Sequence, residues 1–355
     1  MTGRAALPAL VIALALCQPA RAAESPSSCE PSNLGALAAW GGVWFAEGID
    51  AAQQGLAGRD GGDADYRLIG IDAPWNDQGW ARMAGMLRIA SDPGFKQSGW
   101  GFPMMMDSHS ELEFVIAPAK TVIIGQYREI RSIYTDGRGH LPEDERWATN
   151  WGDSIGCWDG DTLVIDTVAV RFDPVFNAAA PPLSEEAHFV ERLRLVAPGR
   201  IENEVTITDP QYLTAPWKAH VTYHLAEGID RLVQDAFEDR NDTGAQTITP
   251  VREEFAPLPL PTNVTLSTAE LDRLAGRYGL DGTPMELVIE RRGDRLFFQP
   301  PGIANFIPMF AQGALSFVTL DGAQVRFIAE SSGQIAGLEA IRPQMAPDRF
   351  TRKQP

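Results

Sequence analysis

Short apolar or alternating runs separated by glycine-containing turns recur along this chain, and they constrain its fold more than any other feature. The clearest example is "SIGCWDGDTLVIDT", in which Asp159-Gly160 separates two such runs. An Asp-Gly pair between strand-like runs is a strong signal for a β-hairpin, and repeated hairpins favour a closed antiparallel sheet. Similar turns are found at Pro198-Gly199, Arg292-Gly293-Asp294, Asp321-Gly322 and Ser332-Gly333.

A change in composition divides the chain into two parts. All nine tryptophans lie at or before Trp217, and the proline-rich segment "TPVREEFAPLPLPTN" follows at 249–263. Proline stiffens a chain and removes hydrogen-bond donors, so this segment is typical of a linker. We therefore predict a tryptophan-rich β domain with the candidate site over 23–248, a linker over 249–264 and a smaller β domain over 265–355.

Three short helices are predicted beside the strands. "SNLGALAAW" at 32–40 and "GWARMAGMLRIA" at 79–90 carry helical patterns. In the C-terminal part, Ser267 and Glu270 form an S-x-x-E capping box before "TAELDRLAGRY".

Residues 1–22 have the pattern of a cleavable secretory signal. Arg4 precedes the apolar run from Ala5 to Cys17, and Ala20-Arg21-Ala22 supplies the small-x-small cleavage pattern. The run is shorter than the roughly 20 residues that span a bilayer, and no other stretch is apolar enough to cross one. We expect a secreted or periplasmic protein without membrane insertion. Whether Cys29 and Cys157 pair in that oxidising compartment is left open.

The net charge and the missing motifs exclude several classes of partner and cofactor. A formal charge of −17 at pH 7 repels nucleic acid and anionic lipid. Zinc-type Cys and His spacing, a calcium loop, a phosphate-binding loop and a nucleophile elbow are all missing from the sequence. We expect no nucleic-acid partner and no cofactor and assign no metal ligands, while the binding of a metal ion is left open. The oligomeric state is open, with a homo-oligomer among the alternatives.

The segment "SEEAHFVERLRL" holds a candidate general base. His188 and Glu191 open an alternating strand, and a histidine backed by a carboxylate is the ordinary arrangement of such a base. The alternative is a charged, solvated strand start. His220 and His224 share one face of a later strand, about 13 Å apart, so we interpret them as solvent-facing rather than as a ligand pair.

A second group of polar residues lies in "YREIRSIYTDGRGHLPEDERW". Here Arg131 could pair with Asp136, Tyr134 could donate a proton, and His140 could close over the mouth of a barrel. Asp136-Gly137 is also a turn signal, so Asp136 itself is interpreted as structural.

Aspartates surround the central hairpin. Asp153 precedes it, where its carboxylate could point inwards. Asp161 and Asp166 are both expected in the strand after the turn and, being five apart, on opposite faces of that strand. We interpret the Asp159–Asp161 turn as structural.

The order of motifs in this region resembles a large family of secreted bacterial proteins. That family carries YTDGR-H-P, GxS-IGxW-GDTLVVDT and SE-x-x-H-VER patterns, seen here in "IYTDGRGHLPEDERWATNWGDSIGCWDGDTLVIDT" and "SEEAHFVERLRL" over about residues 100–240. The resemblance implies no catalytic role, but it falls on His140, Asp153, Ser154, His188 and Glu191. Cys157 stands where a histidine is common in the family, which argues against a metal ligand at that position.

The C-terminal part carries a second resemblance. "LAGRYGL" and "ELVIERRGDRLFFQPPG" are similar to the small lipocalin-like domain that follows many penicillin-binding-protein-like serine hydrolases, where it is an accessory barrel. The hydrolase itself is missing, because no S-x-x-K motif precedes the linker in a suitable context. The sequence therefore predicts a mainly β protein: an antiparallel, lipocalin-like N-terminal barrel with a few short helices, and a smaller C-terminal lipocalin-like barrel.

These residues favour a cofactor-independent enzyme that acts by proton transfer on a small apolar or aromatic molecule, as a lyase, dehydratase or isomerase. In this hypothesis His188 is the base and Glu191 orients it, Tyr134 or Asp153 is the acid, and Arg131 stabilises developing negative charge. One alternative is a non-catalytic small-molecule-binding protein that uses the same pocket. Another is an interaction module whose barrel interior is filled.

Overall fold

The computed structural model describes residues 34–46, 73–90, 100–107, 110–172, 181–234, 259–300, 306–342 and 346–353. The predicted signal segment and residues 235–258 before the second barrel lie outside these ranges, and nothing tests the predicted domain boundaries. Among the described residues, no helix is both long and apolar enough to cross a membrane.

The predicted helices form, one of them in a tighter conformation. Helix α1 spans Asp77–Ala90, whereas the segment predicted at 32–40 forms a 3-10 helix over Leu34–Trp40. A second 3-10 turn spans Met104–Met106. Helix α2 spans Thr268–Leu274, and its capping box is confirmed. Ser267 Oγ accepts a hydrogen bond from the Glu270 amide at 3.3 Å, and Glu270 Oε2 accepts one from the Ser267 amide at 2.8 Å.

Nine strands of the described residues form a first closed barrel in chain order. Strand β9 pairs with β1 to close it, and every neighbouring pair is antiparallel except β4 and β5, which are parallel. The connection 135–152 joins these two strands. The strands are β1 Val43–Ala46, β2 Leu112–Ala117, β3 Lys120–Gly125, β4 Ile130–Tyr134, β5 Asp153–Asp159, β6 Thr162–Val168, β7 His188–Ala197, β8 Arg200–Thr208 and β9 Trp217–Leu225.

Eight further strands form a second closed barrel, and all of its neighbours are antiparallel. The predicted mainly β fold with two barrels is therefore confirmed. The strands are β10 Gly276–Leu280, β11 Glu286–Arg292, β12 Arg295–Gln299, β13 Ile307–Gly313, β14 Ser316–Thr319, β15 Gln324–Ala329, β16 Ile335–Ile341 and β17 Asp348–Arg352.

The central hairpin joins β5 to β6, as the Asp-Gly pair predicts. Asp159 lies opposite Thr162, so the two loop residues are Gly160 and Asp161. Of these two, Gly160 alone has a positive φ, at +64°, as a type II′ turn requires. The expectation that Asp161 lies in the second strand is wrong. Cys157, within β5, is disulfide-bonded, while Cys29 lies outside the described residues.

Aromatic side chains dominate the core of the first barrel. Trp44 and Trp158 are fully buried in it, and the ring of Trp158 meets that of Trp40 edge-on at 5.7 Å between centroids. Helix α1 joins this core to the second barrel, because the Trp80 ring lies 6.1 Å from the Phe297 ring. The second barrel has its own apolar core of leucine, phenylalanine and valine side chains.

Candidate functional site

Three polar side chains on neighbouring strands face outwards at one end of the first barrel. Asp153 is the first residue of β5, Asp166 lies near the end of β6, and His188 is the first residue of β7. Asp166 lies opposite Ile155 on one side and opposite Val190 on the other. Asp153 and His188 are therefore its diagonal neighbours on the same face, a position that long side chains can bridge.

A fourth residue, His140, completes what we call the outer cluster: His140, Asp153, Asp166 and His188. The connection 135–152 carries it onto the outer wall of the barrel. His140 Nδ1 lies 3.0 Å from Asp153 Oδ2, and His140 Nε2 lies 3.0 Å from Asp166 Oδ1. His188 Nε2 lies 2.8 Å from the same Asp166 oxygen. The cluster is thus one hydrogen-bonded chain of alternating carboxylates and imidazoles.

The hydrogen-bond geometry indicates which groups of the outer cluster carry protons. Asp153 Oδ2 already accepts the Leu141 amide at 3.0 Å, which suits a carboxylate. Both ring nitrogens of His140 face carboxylate oxygens, so the arrangement favours the imidazolium, which carries a proton on each nitrogen. The hydrogen bond to Asp166 is the main cause that raises the pKa of His140, and Asp153 adds to it. Burial would raise the pKa of Asp166, but hydrogen bonds from His140 and His188 hold it well below its usual range.

His188 is the open end of the outer cluster. Its side chain is 41% exposed, and Nε2 donates to Asp166. Within the described residues, its Nδ1 makes no hydrogen bond. A neutral His188 that donates through Nε2 presents the lone pair of Nδ1 to solvent, which is the tautomer a general base requires.

Glu191 does not orient His188, so that prediction is wrong. The two residues are three apart on β7 and therefore project from opposite faces of the strand. Glu191 points into the barrel, where its carboxylate pairs with both terminal nitrogens of Arg131, and each of these side chains is 1% exposed. Asp166 is the carboxylate that holds His188, which is the role predicted for Glu191.

The Arg131–Glu191 pair belongs to what we call the interior network: Arg131, Ser154, Thr167, Glu191 and Asn203. Arg131 Nη2 donates to Thr167 Oγ1 at 2.9 Å, and Asn203 Nδ2 donates to Glu191 Oε1 at 3.0 Å. Ser154 and Thr167 share a hydrogen bond of 2.9 Å. The network joins β4 to β8 through the inside of the barrel.

The position of Arg131 excludes the role predicted for it at the outer cluster. Its guanidinium lies 3.9 Å from the centre of the Phe102 ring, inside the barrel. It therefore cannot stabilise charge that develops on the outer wall. Its predicted pairing with Asp136 is also wrong, because Asp136 pairs with Arg138, with 2.8 Å between Arg138 Nε and Asp136 Oδ1.

Tyr134 lies on the outer face, one strand away from Asp153. Its register partner on β5 is Ile155, two residues along from Asp153. The Arg138 guanidinium lies 4.1 Å and Lys120 Nζ 5.2 Å from the centre of the Tyr134 ring. Tyr134 thus shares the outer face of the barrel with Asp153, and two cations lie close to its ring.

Two further expectations about direction are wrong. Asp153 points outwards, because its neighbour Ser154 occupies the inward position of β5. His140 lies on the wall of the barrel and does not close its mouth. His224 is exposed, as predicted, while the half-buried His220 lies 3.2 Å from Thr222 Oγ1.

Asp166 is the cluster residue that the sequence-based prediction missed. A usable signal was present for part of the cluster, because alternation back from the hairpin turn places Asp153 and Asp166 on one face. Within the described part of the chain, no group of three or more His, Cys, Asp or Glu side chains is arranged to hold a metal ion.

No protein-family model matches this chain, and no curated protein is found to match it. The likeness to a family of secreted bacterial proteins therefore stays a prediction. The conclusions about chemistry depend on the geometry of the outer cluster.

Proposed function

We propose that this protein is a cofactor-independent enzyme that transfers protons on a small apolar or aromatic molecule, as a lyase, dehydratase or isomerase. The observation that carries the proposal is the His188–Asp166 pair. One ring nitrogen of His188 is held by a carboxylate oxygen at 2.8 Å, and the other faces solvent.

In the proposed reaction His188 is the base and Asp166 is its orienting partner. Nδ1 of His188 takes a proton from the substrate, and the imidazolium that forms is stabilised by the carboxylate of Asp166. The same imidazolium then returns its proton, to another carbon in an isomerisation or to a departing hydroxyl group in a dehydration. Tyr134 is the candidate for a separate acid, since it shares the outer face of the barrel.

Apolar side chains on the connection that carries His140 support an apolar or aromatic substrate. Leu141 is 45% exposed and Trp147 is 71% exposed. Exposed indole rings offer flat surfaces for stacking against aromatic molecules. The same segment thus supplies both a member of the outer cluster and an exposed aromatic ring.

A secreted or periplasmic location belongs to the same proposal. The segment 1–22 has the pattern of a cleavable signal. The disulfide bond of Cys157 supports an oxidising compartment.

A non-catalytic binding or interaction protein is the second candidate, and two observations favour it. Large buried side chains and the interior network occupy the inside of the first barrel, where a lipocalin-like ligand would otherwise lie. An apolar groove of about 450 Å³ lies between the Leu34–Trp40 helix and β2. Such a protein would bind its ligand without turnover.

Deuterium incorporation distinguishes the two candidates. The chain without residues 1–22 is incubated in D₂O with a pool of small apolar and aromatic compounds, which are then analysed by mass spectrometry. An enzyme of the proposed kind adds deuterium to a recovered compound, or yields an isomer or a dehydrated product. Compounds that are depleted from solution but recovered unchanged after denaturation would establish a binder.

Two variants and a control assign the activity to the outer cluster. We expect His188→Gln to lower turnover by at least about 100-fold and Asp166→Asn to lower it by about tenfold or more. His224→Gln changes an exposed histidine on β9 and should have no effect. Turnover that survives both cluster variants would refute the proposal.

A further inference from the structure

The segment 136–148, which we call the crossover loop, makes its hydrogen bonds to the barrel at one place. The residues on either side of it are fixed by backbone hydrogen bonds, from Thr135 to Ala119 and between Thr149 and the 169–171 segment. Between them, the hydrogen bonds that the loop makes to other described parts of the chain come from His140 and Leu141 alone. The loop also contacts the barrel through the guanidinium of Arg138, which stacks on the Tyr134 ring.

His140 is the least exposed ionisable anchor of this loop. Its side chain is 19% exposed, whereas its neighbours from Asp136 to Gly139 and from Leu141 to Glu145 are exposed. The ring bridges two strands, since Asp153 belongs to β5 and Asp166 to β6. Beside the Leu141 amide hydrogen bond and the Arg138–Tyr134 stacking, the loop is therefore fastened by one imidazole between two carboxylates.

This arrangement needs a proton on each nitrogen of His140. A neutral imidazole has one N–H, so one of its two nitrogens would turn a lone pair towards a carboxylate oxygen. The charged groups that face the ring are Asp153 from β5 and Asp166 from β6, with His188 from β7 on the same Asp166 oxygen. Asp136 and Arg138, in the loop itself, are engaged with each other.

We propose that protonated His140 fastens the crossover loop to the barrel wall and that loss of its proton releases the loop, so that the surroundings of the His188–Asp166 pair depend on pH. The regulatory consequence rests on the proposed function, whereas the fastening itself does not. When the loop is released, Asp166 loses its hydrogen bond to His140 and keeps the one to His188. The outer face of the barrel around Asp153 is then uncovered.

Thermodynamic linkage makes the inference quantitative. The pKa of His140 is raised in the folded protein, so the fastening is complete below the ordinary histidine value of about 6.5 and is lost as the pH rises through the raised value. If loop closure is what raises this pKa, protonation must favour the closed loop by the same factor, which is about tenfold for a midpoint one pH unit above the ordinary value. The titration of His140 and the opening of the loop must then share one midpoint.

Two measurements on the whole protein test this. Histidine labelled with ¹³C gives one ring signal for each of the five histidines, and His140→Gln identifies the signal of His140. Hydrogen–deuterium exchange of the 136–148 segment is followed between about pH 5 and pH 9, corrected for the intrinsic pH dependence of exchange. We expect protection of this segment to fall about tenfold for each pH unit by which the His140 midpoint exceeds the ordinary histidine value.

The variants separate a pH-dependent fastening from a merely structural one. His140→Gln should leave the loop poorly protected at every pH, and Asp153→Asn should move its opening to lower pH. His224→Gln should change neither. Peptides from β7 and β8 should keep their exchange rates in all three variants, which shows that the barrel is folded.

Loop protection that varies with pH in the same way in the wild-type protein and in His140→Gln would refute the inference. A His140 titration at or below about 6.5 would also refute it. Neither measurement requires a substrate. An active enzyme with a pH-independent loop would therefore contradict the role of His140 and support the proposed function. An inactive protein with a pH-dependent loop would contradict the proposed function and support the role of His140.

Discussion

Arg131 and Glu191 form an ion pair inside the first barrel, and each side chain is only 1% exposed to solvent. Residues 60 positions apart in the chain are thereby joined across the barrel interior. Removing one partner of a buried pair leaves an uncompensated charge, which costs more than the pair itself contributes.

Glu191→Gln should therefore destabilise the first barrel by about 3–5 kcal/mol. Urea unfolding followed by tryptophan fluorescence measures this, because all nine tryptophans lie at or before Trp217. Glu204→Gln, an exposed position on β8, is the control and should change stability little. The double variant Arg131→Met/Glu191→Leu should be more stable than Glu191→Gln. A Glu191→Gln protein as stable as the control would contradict this expectation.

Asp166→Asn should make the first barrel less sensitive to acid. The lowered pKa of Asp166 means that its ionised form stabilises the fold above about pH 4, and that this contribution is lost as the pH falls further. The variant should be less stable than the wild type near pH 6, and the difference should shrink towards pH 3 and below. Urea midpoints across this range test it, and a difference that is constant with pH would show that Asp166 is not the titrating group.

Asp209→Asn should loosen the segment that leads into His188. The buried carboxylate of Asp209 accepts the Ser184 amide at 2.7 Å, the Ser184 hydroxyl at 2.8 Å and the Gln211 amide at 3.0 Å. Weakening hydrogen bonds to a buried charge costs about 2 kcal/mol. Hydrogen exchange of residues 184–187 should accelerate, while Asp159→Asn, in an exposed ion pair with Arg192, should leave it unchanged.

Ser267→Ala should destabilise the start of α2 by about 1 kcal/mol, because it removes the acceptor for the Glu270 amide. Hydrogen exchange of the amides at the start of this helix measures the loss. Thr268→Ala changes the next residue without touching the cap and should have little effect. Equal losses in the two variants would mean that the cap contributes nothing specific.

The hairpins and the capping box could be predicted because their signals are local. A glycine at a turn and an S-x-x-E pattern act on residues within a few positions of themselves. The same holds for the separation of His188 from Glu191, which alternation along a strand already implies. The grouping of Asp153 with Asp166 also follows from alternation once the hairpin register is known, whereas His188 joins them through the pairing of β6 with β7.

The rest depends on contacts between distant parts of the chain. Arg131 meets Glu191 only because β4 and β7 belong to one closed barrel, and no local pattern states which strands are neighbours. His140 reaches Asp166 only because the connection between β4 and β5 lies along the outer wall. Its sequence, rich in glycine and charge, predicts a loop but not its path.

The parallel pair β4–β5 has a consequence that follows from counting strands. If every neighbour in a closed ring ran in the opposite direction, the directions would alternate around the ring, and only an even number of strands could close. The nine strands of the first barrel break this parity, so at least one pair must run in the same direction. A parallel pair in turn requires a connection that travels back along the barrel, and here that connection delivers His140 to Asp166. The outer cluster is therefore completed by a connection that this odd-numbered barrel cannot avoid.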